Sequence, residues 1–178
     1  LKAKKVILIG GTGVISDSVK KGLTSKGISV TRIGGKSRYD TSLLIAKQLD
    51  KLVDVHTAYL AYGFGEPDAL SIAAQSGQSK QPIILTAKKS VHANSYKWLK
   101  AERLKTAYFI GGTTVIAPEI IKELNKITSE NVLNNRLSGK TRQITNAKVV
   151  EKFYKNSDMQ SIMVAHSQTA KLVDALSA

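Results

Sequence analysis

The chain has 178 residues, of which 42% are hydrophobic and 22% charged, the balance of an ordinary globular protein long enough to bury a core without covalent staples. It contains no cysteine, which removes disulfides and thiolate metal sites but decides nothing about compartment. Its 27 basic against 13 acidic residues give a net charge of +14, the balance of a protein drawn to polyanions.

The first element is the apolar run Lys4–Ile9, which stops at Gly10-Gly11-Thr12. A continuous apolar run reads as a buried parallel strand rather than a half-exposed one. A helix over 16–26 follows, capped by Ser16 and closed by Gly27. Ile28–Ile33 is a second strand that ends at Gly34-Gly35, and Arg38–Leu52 shows a helical spacing of apolar residues. A third strand is expected over His56–Tyr62, a helix over Asp68–Ala74 and a short strand over Ile83–Thr86. Next come a helix over Ala93–Leu104, carrying Trp98, and the strand Ala107–Ile110, which stops at Gly111-Gly112-Thr113. Beyond it the pattern gives a helix over Ile120–Ile127, a strand over Val132–Leu137 and a helix opening at Arg142. A strand over Ile162–Ala165 and a last helix over Leu172–Ala178 complete the list.

The second half echoes the first. Gly111 follows Gly10 by 101 residues (111 − 10), Arg142 follows Arg38 by 104 (142 − 38), and Asp174 follows Asp68 by 106 (174 − 68). A spacing that drifts so little marks a domain-sized internal repeat of about a hundred residues. Strands alternating with helices imply an α/β architecture, parallel sheets with right-handed crossovers. The expected division is the end of a first repeat (1–35), a whole middle repeat (36–139) and the opening of a third (140–178). A fragment of a larger multi-unit protein, with strand edges unpaired where units are interrupted, is therefore expected.

Several stretches invite a chemical reading. Gly11-Thr12-Gly13 after a strand has the outline of a dinucleotide turn, but its second copy, Gly112-Thr113-Thr114, loses the middle glycine. No acid after the second strand could take a ribose hydroxyl, because Arg32 and Lys36 stand there. The aligned turns Gly35-Lys36-Ser37-Arg38 and Gly139-Lys140-Thr141-Arg142 each put a Lys and an Arg at a helix N-terminus, where free amides favour an anion. Lys36, Arg38, Lys140 and Arg142 are thus the candidate anion-binding residues. The competing reading has Arg38 and Arg142 stitching units together through a carboxylate, with Thr41 and Thr145 bonding back within the first turn. Asp68, at a helix head after Pro67, reads as a cap rather than one of a catalytic pair with Glu66. His56, His92 and His166 have no metal-ligand spacing, and there is no nucleophile elbow, so no catalytic residue, metal or cofactor is expected. Aromatics are 6% and do not interleave with basic residues, so no nucleic-acid partner is expected, and no run is long enough to span a membrane.

Taken in order, Ile7-Leu8-Ile9-Gly10-Gly11, Gly35-Lys36-Ser37-Arg38-Tyr39-Asp40-Thr41, Pro67-Asp68-Ala69-Leu70-Ser71 and Pro82-Ile83-Ile84-Leu85-Thr86 form a set. That set resembles the cell wall binding type 2 repeat, from the anchoring region of clostridial S-layer and cell wall proteins. The likeness runs essentially end to end. It implies Toprim- or Rossmann-like modules, three of which pack about a pseudo-threefold axis. It also implies a secreted protein held non-covalently to the Gram-positive wall through an anionic secondary polysaccharide. Partners would then be that polymer, other repeats of the chain and neighbouring surface-layer proteins. The family motif implicated in attachment matches Ile83, Ile84 and Leu85, which as apolar strand residues better suit keeping the fold or an interface than touching a polar glycan. The chain departs from the family where an Asp precedes the Arg (Ser37 and Thr141 here) and where Gln143 replaces the tyrosine seen at Tyr39. The alternative function is an α/β enzyme or binding domain acting on a phosphorylated small molecule or a nucleotide.

Overall fold

A computed structural model of the chain describes residues 2–155, 157 and 159–167. The elements are β1 (Lys5–Ile9), α1 (Asp17–Thr24), β2 (Ser29–Ile33), α2 (Arg38–Asp50), β3 (Thr57–Tyr62) and α3 (Glu66–Ser79). They continue with β4 (Ile83–Thr86), α4 (Ala93–Ala101), β5 (Thr106–Ile110), α5 (Pro118–Leu124), β6 (Arg136–Leu137) and α6 (Arg142–Phe153). Every strand pair is parallel: β1 lies beside β2, and the larger sheet runs β4-β3-β5-β6.

Alternation along β3 and β5 sends side chains to both faces of that sheet, and both faces are covered. On one face Leu60, Phe109 and Ile84 meet Leu43 and Ala46 of α2, Trp98 and Leu99 of α4, and Ile120 and Leu124 of α5. On the other, Tyr59 and Ile110 meet Ile72 of α3 and Val149 of α6. Phe153 adds edge-on ring contacts to Tyr59 and Tyr108 at 5.8 and 5.0 Å. Helices therefore sandwich the sheet, and the α/β expectation holds.

The boundaries differ from expectation in physically readable ways. The helix after β4 ends at Ala101 rather than Leu104, because Arg103 takes a left-handed φ of 52°. The strand expected over 132–137 shrinks to Arg136–Leu137. Ahead of it the Asn135 amide turns back onto the Val132 carbonyl, and its side-chain amide donates to the Ala107 carbonyl at 3.0 Å while its own carbonyl accepts from the Phe109 amide. Residues 161–167 form no strand. Backbone pairing defines a strand, and no neighbouring ladder among the described residues receives this one. The helix expected over Leu172–Ala178, and Asp174 with it, lies outside the described residues.

The internal repeat is visible in hydrogen bonds as well as in letters. Gly10 and Gly111 both take φ near +120°, and Cβ atoms there would strike Val14 and Val115 respectively, besides requiring a conformation that suits glycine. Arg32 donates to the Gly10 carbonyl at 2.9 Å, and Arg136 donates to the Gly111 carbonyl at 2.7 Å. Ser37 caps α2 through the Asp40 amide, and Thr141 caps α6 through the Ile144 amide. The Gly35 and Gly139 amides each donate to a threonine hydroxyl, Thr41 or Thr145, at 3.0 Å.

Candidate functional site

Because the strands are parallel within each sheet, their carboxyl ends share one rim, the place where α/β proteins present loops and helix N-termini. A related corner stands at the carboxyl end of a strand in each sheet. The first is the turn from β2 into α2. Lys36 is exposed there, and Arg38 donates to the Gly63 carbonyl at 2.6 Å while its guanidinium lies 4.0 Å over the Phe64 ring. Tyr39 stacks on His92 at 6.1 Å and meets Phe64 edge-on at 6.5 Å. Asp40 accepts from the Ser37 hydroxyl at 2.7 Å and stands 4.0 Å from His92 Nδ1. The second corner is the turn from β6 into α6. Lys140 is exposed, and Arg142 donates to the Ser167 carbonyl at 2.6 Å, repeating the reach of Arg38. Ser167 is also fastened by Gln143, whose side-chain amide donates to its hydroxyl at 2.7 Å.

Thr41 does bond back, to the Ser37 carbonyl at 3.0 Å. Each arginine donates to a backbone carbonyl 25 residues onward within its own unit, and the charge of Arg142 also acts on the Asp68 carboxylate. The corners also differ in charge. Asp40 sits in the first turn of α2, whereas its counterpart in α6 is Ile144, so the second turn lacks that local acid.

Asp68 is not the cap the sequence suggested. Its amide bonds to the Gly65 carbonyl one turn inside α3, whose N-cap is Gly65, and its carboxylate lies against Gly111, where a Cβ would come within 2.6 Å of Asp68 Oδ2. Burial raises its pKa, opposed in part by the charge of Arg142. An acid with a raised folded-state pKa stabilises most when protonated, and that contribution is lost as pH climbs from the ordinary value of 3.8 through the raised one. Asp68→Asn should therefore gain in urea midpoint relative to the parent as pH rises across that window. A constant difference would mean the carboxylate is as well solvated in the fold as outside it.

Ile83, Ile84 and Leu85 lie together on β4, an edge strand of the larger sheet. Ile84 is fully buried in the core, Ile83 packs against the opposite cluster, and the Leu85 amide donates to the Ser42 hydroxyl of α2 at 3.1 Å. The strand and the cationic turns are thus separate features. What the sequence left unsaid is the aromatic group around Arg38. Tyr39, Phe64 and His92 are far apart in the chain, and only the strand order brings them to one corner.

Among the described residues no group of three or more His, Asp or Glu side chains is placed to hold a metal, and no helix is long and apolar enough to cross a membrane. The fold is thus a parallel α/β repeat with a basic turn at the carboxyl end of each sheet. Residues 32–121, half of the chain, match the family described as Cell wall binding domain 2 (CWB2), and the chain belongs to that family. Two solved structures are similar to it. Cwp8 from Clostridium difficile superposes with a TM-score of 0.82 at 36% identity, covering 99% of this chain and 29% of that one. Cwp6 from Clostridium difficile gives 0.81 at 43% identity, covering 84% of this chain and 24% of that one. The N-acetylmuramoyl-L-alanine amidase LytC of Bacillus subtilis is 29% identical over 152 residues, 85% of this chain and 29% of the amidase. The chain thus spans less than a third of each of these relatives.

Proposed function

We propose that this chain anchors a secreted surface protein to the Gram-positive wall without covalent attachment, by holding an anionic secondary polysaccharide. Membership of the cell wall binding family supports the location and the wall polymer as target. The observation that carries the finer reading is the repeated turn in which an exposed lysine (Lys36, Lys140) and an arginine (Arg38, Arg142) stand at the N-terminus of a helix of twelve or more residues. The net charge of +14 adds a long-range attraction to the same polymer. In this reading Arg38 and Arg142 serve chiefly to hold the turns in shape, and Lys36 and Lys140 meet the anion. Ile83, Ile84 and Leu85 contribute by fixing β4 and its α2 contact. The unit is non-catalytic, and any chemistry belongs to a domain attached elsewhere in the longer protein. Division into repeats at 1–35, 36–139 and 140–178, and Toprim-like packing of three such repeats about a pseudo-threefold axis within a surface layer, complete the proposal.

Individual exposed cation–anion contacts are weak and screened, so retention must come from several sites acting together. Sedimentation with purified walls tests this. Binding should fall by roughly a hundredfold between about 50 and 500 mM salt, and chemical removal of the anionic polymer should abolish it. Lys36→Glu combined with Lys140→Glu should weaken it far more than either alone. Unchanged retention on stripped walls would sink the polysaccharide reading.

A further inference from the structure

The two corners share their fastenings and differ in their rings. In both, a hydroxyl caps the helix, a threonine hydroxyl takes the glycine amide, and an arginine holds a backbone carbonyl. At the offset of 104 residues (143 − 39), Tyr39 is answered by Gln143, Gly63 by Ser167 and Phe64 by Gln168, the last outside the described residues. The second turn folds without the ring of Tyr39, so that ring is not needed to build the first. The backbone has nonetheless made room for it. A Cβ on Gly63 would come within 2.7 Å of Tyr39 Cε1 and 3.2 Å of Arg38 Cδ, so a side chain there would displace both. In the copy, where Ser167 carries a Cβ, Gln143 stands in place of the ring and donates to the Ser167 hydroxyl. Tyrosine goes with glycine, and glutamine with serine.

What results is a bare aromatic surface among cations. Phe64 is 58% exposed. The Arg38 guanidinium covers one face of its ring at 4.0 Å, and Tyr62 and Tyr39 brace it at 5.8 and 6.5 Å, so the exposure falls on the opposite face and the edge. Tyr39, stacked on His92 at 6.1 Å, extends the surface. Across the three turns that meet here, Lys36, Arg38, Lys88 and Lys89 outnumber Asp40 and Glu66. A flat ring with one face held and the other open accepts the C–H face of a pyranose, whose polarised hydrogens meet the negative face of the π system. The surrounding cations suit a polymer in which such sugars carry phosphate or carboxylate.

We propose that Phe64 and Tyr39 form a stacking subsite for one pyranose ring of the wall polymer, with Lys36 meeting the anionic group beside that sugar. The inference rests on the polysaccharide reading and adds which part of the polymer is read. Charge alone does not separate a glycan from any other polyanion, whereas a ring that packs on a sugar does. The first corner is then the selective one, and the second, with Gln143, adds attraction without that selection. Grooves that hold single-stranded nucleic acid line up several rings for successive bases, and this corner offers one bare face, which favours a sugar.

Titration calorimetry of the 178-residue chain tests this with two probes, the polymer released from purified walls and polyphosphate, an anionic chain without sugar rings. Phe64→Gln, and the triple change Tyr39→Gln, Gly63→Ser and Phe64→Gln, write the second corner into the first. Phe64 belongs to neither core cluster, so these variants keep the fold, which the urea midpoint checks. Affinity for the released polymer should fall about tenfold at roughly 500 mM salt, where charge contacts are screened. Affinity for polyphosphate at about 50 mM salt should stay within about twofold. Phe64→Tyr should keep the polymer affinity and Phe64→Leu should lose it, since only the first retains an aromatic face. In proton spectra the sugar C–H signals of the polymer should move upfield on the parent and not on the triple variant. Equal losses toward polymer and polyphosphate would mean that the corner holds charge, and tight oligothymidylate binding abolished by Phe64→Gln would mean that it holds bases. Either result overturns the proposal. Undiminished polymer binding by both variants overturns it too while leaving the polysaccharide reading standing, because that reading is judged on stripped walls. A parent that fails to bind intact walls sinks both.

Discussion

Phe109→Ala should lower the stability of the chain by about 3–5 kcal/mol and its thermal midpoint by roughly 10 °C or more. Phe109 is fully buried on β5, between β3 and β6, at the centre of the cluster that joins α2, α4 and α5 to the sheet. Truncation there removes a ring from a site walled on all sides by other elements, so neighbouring atoms collapse only partly into the space. Trp98, the single tryptophan, belongs to the same cluster and reports the change by fluorescence during urea unfolding. The smaller sheet provides a contrast. Ile9→Ala, on the half-open copy of this strand, should cost no more than about 1 kcal/mol. Equal losses at the two positions would mean that the β1–β2 pair is as tightly bedded as the larger sheet.

Arg136→Ala should cost about 2–4 kcal/mol, a large effect for a side chain that pairs with no acid among the described residues. Its guanidinium donates to the carbonyls of Gly111 and Ile116 at 2.7 and 2.8 Å, tying β6 to both ends of the loop between β5 and α5. Burial lowers its pKa, so the charge is held there at some cost, offset by two charge-assisted hydrogen bonds. Removing it leaves two part-buried carbonyls short of a donor. Lysine should not restore the loss, since one ammonium on a flexible stem cannot present the planar fork that spans both oxygens. Arg32 makes the corresponding reach to Gly10, but its second amino group leans on Asp17, which is 62% exposed. Arg32→Ala should therefore cost less than about 1 kcal/mol, as surface ion pairs do. Urea midpoints of the three variants check the ranking.

The elements whose residues carry their own instructions are readable in sequence. The apolar runs ending in Gly-Gly and the hundred-residue echo both have counterparts in the structure, whereas the Ser37 and Thr141 caps emerge only there. What failed to be legible was whatever depends on a neighbour. Val132–Leu137 has strand letters, yet the Asn135 amide is spent on a turn to Val132 and its side chain reaches the Ala107 carbonyl instead. Ile162–Ala165 has strand letters too, but a strand without a partner is only an extended segment. That the arginines of the two turns fasten backbone carbonyls is not legible either, because sequence cannot show a carbonyl 25 residues away pointing at them. Asp68 was misplaced by the ambiguity of a helix start, where a three-residue shift turns a cap into a first-turn acid pressed against Gly111. The gathering of Tyr39, Phe64 and His92 came from strand order, which no local pattern encodes.

The arginine fastenings have a consequence for how such chains arise. Arg38 reaches 25 residues forward to Gly63, and Arg142 reaches 25 forward to Ser167; Arg136 reaches 25 back to Gly111, and Arg32 reaches 22 back to Gly10. Each tie closes within a stretch far shorter than the hundred-residue period. A gene segment duplicated at that period therefore carries its ties with it, and a newborn copy is fastened before any residue has changed. Lengthening or shortening the array by whole units then demands no co-ordinated substitutions at these turns. Divergence can instead accumulate in what each copy presents outward, as it has where Asp40 in one turn is answered by Ile144 in the next.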